Sequence, residues 1–128
     1  MKKQITEMIV FEVKNGKNPA PYKRTTQKQK FVDKEYKKYQ EYKSLIVAEF
    51  IKTTGKKPCM ILQSKTKYYV DVVAYYKDKT HGDTDNIAKG VNDAIFAKPL
   101  SDKYIAGTYD YYYDAENPRL CVRIREEY

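Results

Sequence analysis

Asp83 and Asp85 are separated by one residue in the run His81-Gly-Asp-Thr-Asp-Asn-Ile-Ala-Lys89, and this pair offers the chain its most specific chemistry. In an extended segment residues i and i+2 point to the same side, so both carboxylates can serve one ion. Mg2+ takes oxygen ligands octahedrally, typically a few carboxylates, with water and substrate phosphate completing the shell. Lys89 lies one helical turn beyond Asp85 and away from Ile87 and Val91, where an ammonium could meet a phosphate oxygen. Asp102, after the chain turns at Pro99, is placed to return as a third carboxylate. Metal ions there would generate hydroxide from water and hold the leaving oxygen. Plainer roles compete. Asp83 or Asp85 can cap the helix that follows, and Asp85 with Lys89 can be a surface ion pair contributing about 0.3–0.5 kcal/mol.

Those residues need elements to position them. Ile5 to Val13 alternates as a strand, with an irregularity near Met8, and stops at Asn15-Gly16. Lys17 to Lys30 holds two prolines and many basic residues but little that is apolar, so it reads as a surface loop without a core element. From Phe31 to Thr54 neither Gly nor Pro occurs. There Tyr36, Tyr39, Tyr42, Leu45, Ile46, Ala48 and Ile51 recur at helical spacing, with a stop at Thr54-Gly55. Cys59 to Leu62 is a short apolar piece that reads as a minor strand. Lys67 to Tyr76 is the strongest strand, with Val70, Val72 and Ala74 on one face and Tyr69, Asp71, Val73 and Tyr75 on the other. Asp85 to Ala97 is a helix with Ile87, Val91, Ala94 and Ile95 as its buried stripe, ended by Pro99. Two strands close the chain, at about 103–113 and 119–125, joined by a turn near Asp114 to Pro118. The expected fold is α/β or α+β. It is one domain over residues 1–128, with a mixed sheet packed by two helices in the order β-α-β-α-β-β.

Net charge is +8, and a lysine-rich chain usually meets a polyanion. A carboxylate pair has the wrong charge for that partner unless a divalent cation stands between them. Lys23, Arg24, Lys28 and Lys30 on the basic loop are the candidate contacts to a phosphate backbone. Lys34, Lys37, Lys38 and Lys43 read instead as the wet face of the long helix. His81, the sole histidine, reads as a bystander beside the acids. Tyr109 to Tyr113 reads as strand packing, an interface, or a stacking surface for unpaired bases. Asp71 and Asp93 fall within reach of the site, and Asp93 reads as structural support. Cys59 and Cys121 lack CxxC spacing and read as reduced, buried thiols. No stretch is long and apolar enough for a membrane span. Glu7 and Glu12 interrupt the first apolar patch, so the reading is a cytoplasmic, unprocessed chain.

The pattern Asp83-x-Asp85-Asn86-x-x-Lys89, then Asn92-Asp93-Ala94, then an acid before the next strand, resembles the RusA family of Holliday-junction resolvases. Pro19-Ala-Pro21-Tyr-Lys23-Arg24 looks like that family's Pro-rich basic entry loop, and Val122-Arg-Ile124 like its closing strand. The resemblance implies a small homodimeric, Mg2+-dependent endonuclease, often encoded by phage or prophage. Such an enzyme nicks symmetrically opposed strands of a four-way DNA junction, with Mn2+ as a substitute metal. It makes Asp83, Asp85 and Asp102 the metal-binding catalytic carboxylates and Lys89 the catalytic lysine. One departure is visible: the family's acid pair is here Ser101-Asp102. That departure motivates a second reading, a catalytically weak or inactive protein that binds branched DNA. A third is a structural or regulatory protein whose acids cap a helix.

Overall fold

A computed structural model describes residues 5–23, 34–62, 66–96 and 105–127. The elements along the chain are β1 (Ile5–Val13), α1 (Lys34–Thr54), α2 (Pro58–Ile61), β2 (Tyr68–Tyr76) and α3 (Thr84–Ile95). They end with β3 (Ile105–Ala106), β4 (Tyr109–Tyr113) and β5 (Arg119–Glu127). Together they form a small α+β domain with a mixed five-stranded sheet.

β2 is the strand on which the others assemble. On one side it pairs antiparallel with β5, from Tyr68 opposite Glu126 to Tyr75 opposite Arg119. On its other side β3 and β4 lie parallel to it in succession, Ile105 opposite Tyr68 and Tyr113 opposite Tyr76. β1 pairs antiparallel with the outer side of β5, and its register shifts between Glu7 and Ile9, the irregularity the sequence shows near Met8. Two consecutive strands joined by a five-residue turn usually pair with each other. Here β4 and β5 do not, because β2 lies between them.

Alternation decides the faces. Tyr68, Val70, Val72, Ala74 and Tyr76 are buried, as are Leu120, Val122 and Ile124 of β5 and Ile9, Phe11 and Val13 of β1. Against this face pack Tyr42, Ile46 and Phe50 of α1 and Ile87, Val91, Ala94 and Ile95 of α3. Each Val, Ile or Phe side chain among them, fully buried, contributes roughly 1.5–3 kcal/mol. The long helix begins at Lys34 among the described residues, and its buried residues are Tyr39, Tyr42, Ile46 and Phe50. Ala48 is exposed, because two residues on from Ile46 it falls on the side of the helix opposite the buried stripe.

Three local expectations need correction. The Cys59–Leu62 piece is no strand. Lys57 leaves an extended backbone, Pro58 fits the first helical position, and Leu62 N–H bonds back to the Pro58 carbonyl (2.9 Å), giving the single turn of α2. Cys59 is exposed on that turn and Cys121 only half-buried, so neither thiol belongs to the core. The strand expected over 103–113 breaks at Gly107-Thr108. Gly107 has φ +138°, and a Cβ there would lie 2.0 Å from the Val70 carbonyl oxygen.

Among the described residues Asp71 is the one charged side chain buried in the sheet. Its carboxylate accepts from Thr108 N and Oγ1 (3.2 and 3.0 Å) and pairs with Arg123 (3.1 Å) and Arg125 (2.8 Å). It thereby ties β2 to β5 and to the break between β3 and β4. Burial works against its ionisation, but the Thr108 and arginine contacts prevail and hold the carboxyl below its usual range. A second carboxylate joins the helices: Asp93 on α3 accepts from the Tyr39 hydroxyl of α1 and pairs with Lys43 (3.0 Å). There too burial opposes ionisation, and Tyr39 and Lys43 outweigh it.

Gly107→Ala places a methyl against a backbone oxygen fixed in the sheet, at a φ that L residues rarely adopt. It is expected to cost about 3 kcal/mol or more in urea unfolding. Asp71 and Asp93 have lowered folded pKa values, so their stabilisation is complete above the ordinary carboxylate range. It is lost as pH falls through the folded values. Unfolding free energy is therefore expected to decline below about pH 4, and Asp71→Asn to flatten that decline. Asp71→Ala, which leaves Arg123 and Arg125 side by side, should cost about 2–4 kcal/mol at pH 7.

Candidate active site

The parallel pair β2 and β4 ends at Tyr76 and Tyr113, and the acid-bearing segment follows directly from Tyr76. Ligands of α/β units generally sit beyond the carboxyl ends of parallel strands, where helix N-termini also collect. α3 begins there. Its second-turn packing is set by Ile87 and Val91 in the core, and the Tyr76 hydroxyl meets Thr84 Oγ1 at 2.8 Å. At the other end of the helix Phe96 packs on the Tyr68 ring (5.6 Å), so α3 runs back along β2.

Asp83 occupies the N-cap position of α3 with extended backbone (φ −68°, ψ 138°). Its main-chain carbonyl accepts from Asn86 and Ile87 (3.1 and 3.2 Å), but its carboxylate makes no capping bond. The helix thus takes the backbone of Asp83 and leaves the side chain exposed and unused. Asp85, in the first turn, is exposed as well, and one of its oxygens accepts from Asn86 N (2.9 Å). The Asp83 carboxylate thus does not cap the helix by bonding an N2 or N3 amide, and the amide of Asn86 is taken by Asp85 from within the first turn. No ion pair joins Asp85 to Lys89 among the described residues. The Lys89 ammonium instead stands 4.5 Å above the centre of the Tyr22 ring. Asp83, Asp85 and Lys89 therefore share the exposed start of one helix.

The basic loop is fastened to this start by contacts that the sequence did not suggest. Pro19 is buried and Ala20 packs on the core, so the segment does contribute to the core, contrary to expectation. The Asn18 amide bonds Asp78 Oδ1 (3.0 Å) and the Thr80 carbonyl (3.2 Å), and its oxygen accepts from Lys77 N (2.6 Å). Pro21 lies so near Gly82 that a Cβ there would meet its ring at 2.7 Å. Tyr22 N–H donates to the Asn86 carbonyl (3.0 Å), and Gly90 leaves room for the Tyr22 backbone and the Tyr39 ring. The one available signal was Gly90 itself: a glycine inside a helical pattern commonly marks a close packing contact. Lys23, next in the chain, is exposed beside the acids' helix.

Arg24, Lys28 and Lys30 lie outside the described residues, and so does Asp102. Ile105, three residues after Asp102, pairs with Tyr68, at the far end of β2 from Asp83. Asp71 belongs to the sheet face away from α3, and Asp93 is engaged by Tyr39 and Lys43. Asp93 acts in support, and Asp71, read from the sequence as within reach of the acids, is instead held in the sheet by Arg123.

His81 is no bystander structurally. Its ring lies face to face on Tyr76 (3.5 Å, 4° between planes). Its Nδ1 donates to the Gly82 carbonyl (2.8 Å), so in the neutral ring Nε2 accepts from the Tyr113 hydroxyl (2.9 Å). Burial, with smaller contributions from Tyr113 and then Asp83, raises the pKa of the Tyr76 phenol against the effect of its Thr84 bond.

Among the described residues no three His, Cys, Asp or Glu side chains converge as a metal cluster. Asp83 and Asp85 nevertheless offer oxygen donors only, the set suited to a hard divalent cation, and one carboxylate is without a helix-capping role. No helix among the described residues is long and apolar enough to cross a membrane. In comparisons with known proteins, no curated protein matches the chain. The family model described as Endodeoxyribonuclease RusA matches residues 11–125. That span includes β2, α3, both exposed carboxylates and the docked loop, and the chain belongs to the RusA family of endodeoxyribonucleases.

Proposed function

We propose that the chain is a Holliday-junction resolvase, cutting four-way DNA by paired nicks with a divalent cation. The observation that carries this reading is the Asp83 side chain, placed at a helix N-cap yet left free of the cap, beside exposed Asp85. Asp83 and Asp85 hold Mg2+, with Mn2+ as a substitute, and Asp102 is assigned as their third carboxylate on the family pattern alone. The cation supplies Lewis-acid stabilisation of charge on phosphate and activation of water. Lys89 is the protein's own cation at the site. The Tyr22 ring under its ammonium keeps that charge near Asp85's helix turn, where it meets a phosphate oxygen as negative charge develops. Lys23, with Arg24, Lys28 and Lys30, grips the phosphate backbone without reading sequence. Residues 1–128 act as one catalytic domain in the cytoplasm. Two copies form a homodimer whose twofold axis matches that of the junction and so yields symmetric nicks.

A synthetic four-way junction should be nicked in pairs by the protein in Mg2+ or Mn2+ and not in chelator. Asp85→Asn should lose more than about 100-fold in rate, and Lys89→Ala about 100- to 1000-fold, with junction binding largely kept. No cleavage by the unaltered protein in either metal, or equal cleavage by Asp85→Asn, overturns the reading. Lys23→Ala should weaken binding to all DNA sequences alike and reduce the slope of log K against log salt by about 1. Ser101, standing where the family pattern has an acid, favours one alternative, a branched-DNA binder that does not cut. Steeply salt-dependent junction binding without nicking in any metal identifies that case.

A further inference from the structure

β4 has the sequence Tyr-Asp-Tyr-Tyr-Tyr, and all five residues are exposed. Among the described residues it is hydrogen-bonded only on its β2 side. Strand alternation sends Asp110 and Tyr112 to one face, where Tyr112 stacks on Tyr75 (5.7 Å). Tyr109, Tyr111 and Tyr113 go to the other face, the one shared with α3. There Tyr111 and Tyr113 meet edge to face (6.0 Å, 86°), and each lies about 6 Å from both Tyr76 and His81. The result is a four-ring cluster. Its inner layer, His81 on Tyr76, is buried or half-buried, while Tyr111 and Tyr113 keep 49% and 51% of their surface in water.

Two features separate this cluster from ordinary strand packing. Its rings are fixed before any ligand arrives: the Tyr113 hydroxyl is held by His81 Nε2, and His81 is held by Gly82 and Tyr76. It is also tied to the candidate active site. Tyr76 bonds Thr84, the residue between Asp83 and Asp85. Lys77 and Lys79, exposed on the turn that follows Tyr76, add positive charge at its margin. Rigid aromatic faces next to cations and beside a phosphodiester-cutting site fit one ligand class. A splayed nucleobase stacks on the rings while its phosphates meet the lysines.

We infer that Tyr111 and Tyr113, backed by His81 and Tyr76, form a stacking platform for an unpaired base at the branch point of DNA. In this role they are positioning residues. They place the strand so that its phosphodiester reaches Asp83 and Asp85, and they favour branched over continuous duplex, whose bases are already stacked. The inference rests on the nuclease reading of the same site.

The test uses four-way junctions carrying 2-aminopurine next to the branch point, bound by full-length protein in Ca2+ so that binding is read apart from nicking. The unaltered protein should change the 2-aminopurine fluorescence. Tyr111→Leu/Tyr113→Leu should abolish that change and weaken junction binding by roughly 5- to 100-fold, leaving duplex binding as it was. Phe at both positions should restore most of the signal, and Tyr112→Leu, on the opposite face, should not affect it. Circular dichroism and thermal melting check that each variant is folded. Equal signal and affinity for the double Leu variant overturns the platform while leaving the nuclease reading intact. Conversion of a dimer to a monomer by the double Leu variant also overturns it, and makes this edge the contact between copies. If the unaltered protein neither binds nor nicks any branched DNA, the nuclease reading fails first and the platform with it.

Discussion

The structure depends on β2 having hydrogen-bonded neighbours on both sides and different surroundings on its two faces. Antiparallel β5 on one side and parallel β3 and β4 on the other satisfy its backbone groups. One face, Val70 to Tyr76 in alternate steps, closes the core under α1 and α3. The other carries Asp71, a carboxylate whose burial opposes ionisation and is outweighed by Thr108, Arg123 and Arg125 around it. The same strand delivers its carboxyl end to the acids. Because Tyr76 is the last residue of β2 and bonds Thr84, the depth of the strand in the sheet fixes where α3 can start.

Docking the basic loop on this frame required close backbone approach at two points. Gly82 admits the Pro21 ring, which an added Cβ would meet at 2.7 Å, and Gly90 lies against the Tyr22 backbone and the Tyr39 ring, which an added Cβ would crowd at 3.3 Å. The Asn18 amide completes the attachment by bonding three groups of the 77–80 turn. A positive segment is thereby set beside two carboxylates, and the Lys89 ammonium is parked on a tyrosine ring rather than on Asp85. An ammonium over an aromatic face keeps its full charge, whereas in an ion pair with Asp85 that charge would be neutralised.

Much of the architecture was legible along the chain. Alternation located β1 and β2 to within a residue, the stripe of Ile87, Val91, Ala94 and Ile95 located the inner face of α3, and even the bulge near Met8 showed as a break in pattern. Two misreadings have clear causes. Cys59–Leu62 has the apolarity of a strand, but Pro58 after an extended Lys57 starts a helical turn, and four residues carry no period to decide between them. The 103–113 segment alternates across Gly107, yet the left-handed φ of that glycine interrupts the ladder. Tyr22 and Pro19 went unnoticed as anchors because isolated apolar residues in a basic loop have no periodicity at all.

By itself the sequence determined the periods of the elements, the identity of the acid pair and its lysine, and a pattern specific enough to indicate the family. Those are properties of residue type and short spacing. Tertiary structure alone decided that β2 enters between β4 and β5, which no local turn signal reveals, since it is set by what best buries the central strand. It also decided that Asp83 leaves its carboxylate uncapped, because capping depends on rotamer and surroundings as well as on position. And it gathered Tyr76, His81, Tyr111 and Tyr113 into one cluster. The two ends of that set are 37 residues apart in the chain, and only the parallel register of β4 on β2 makes them neighbours.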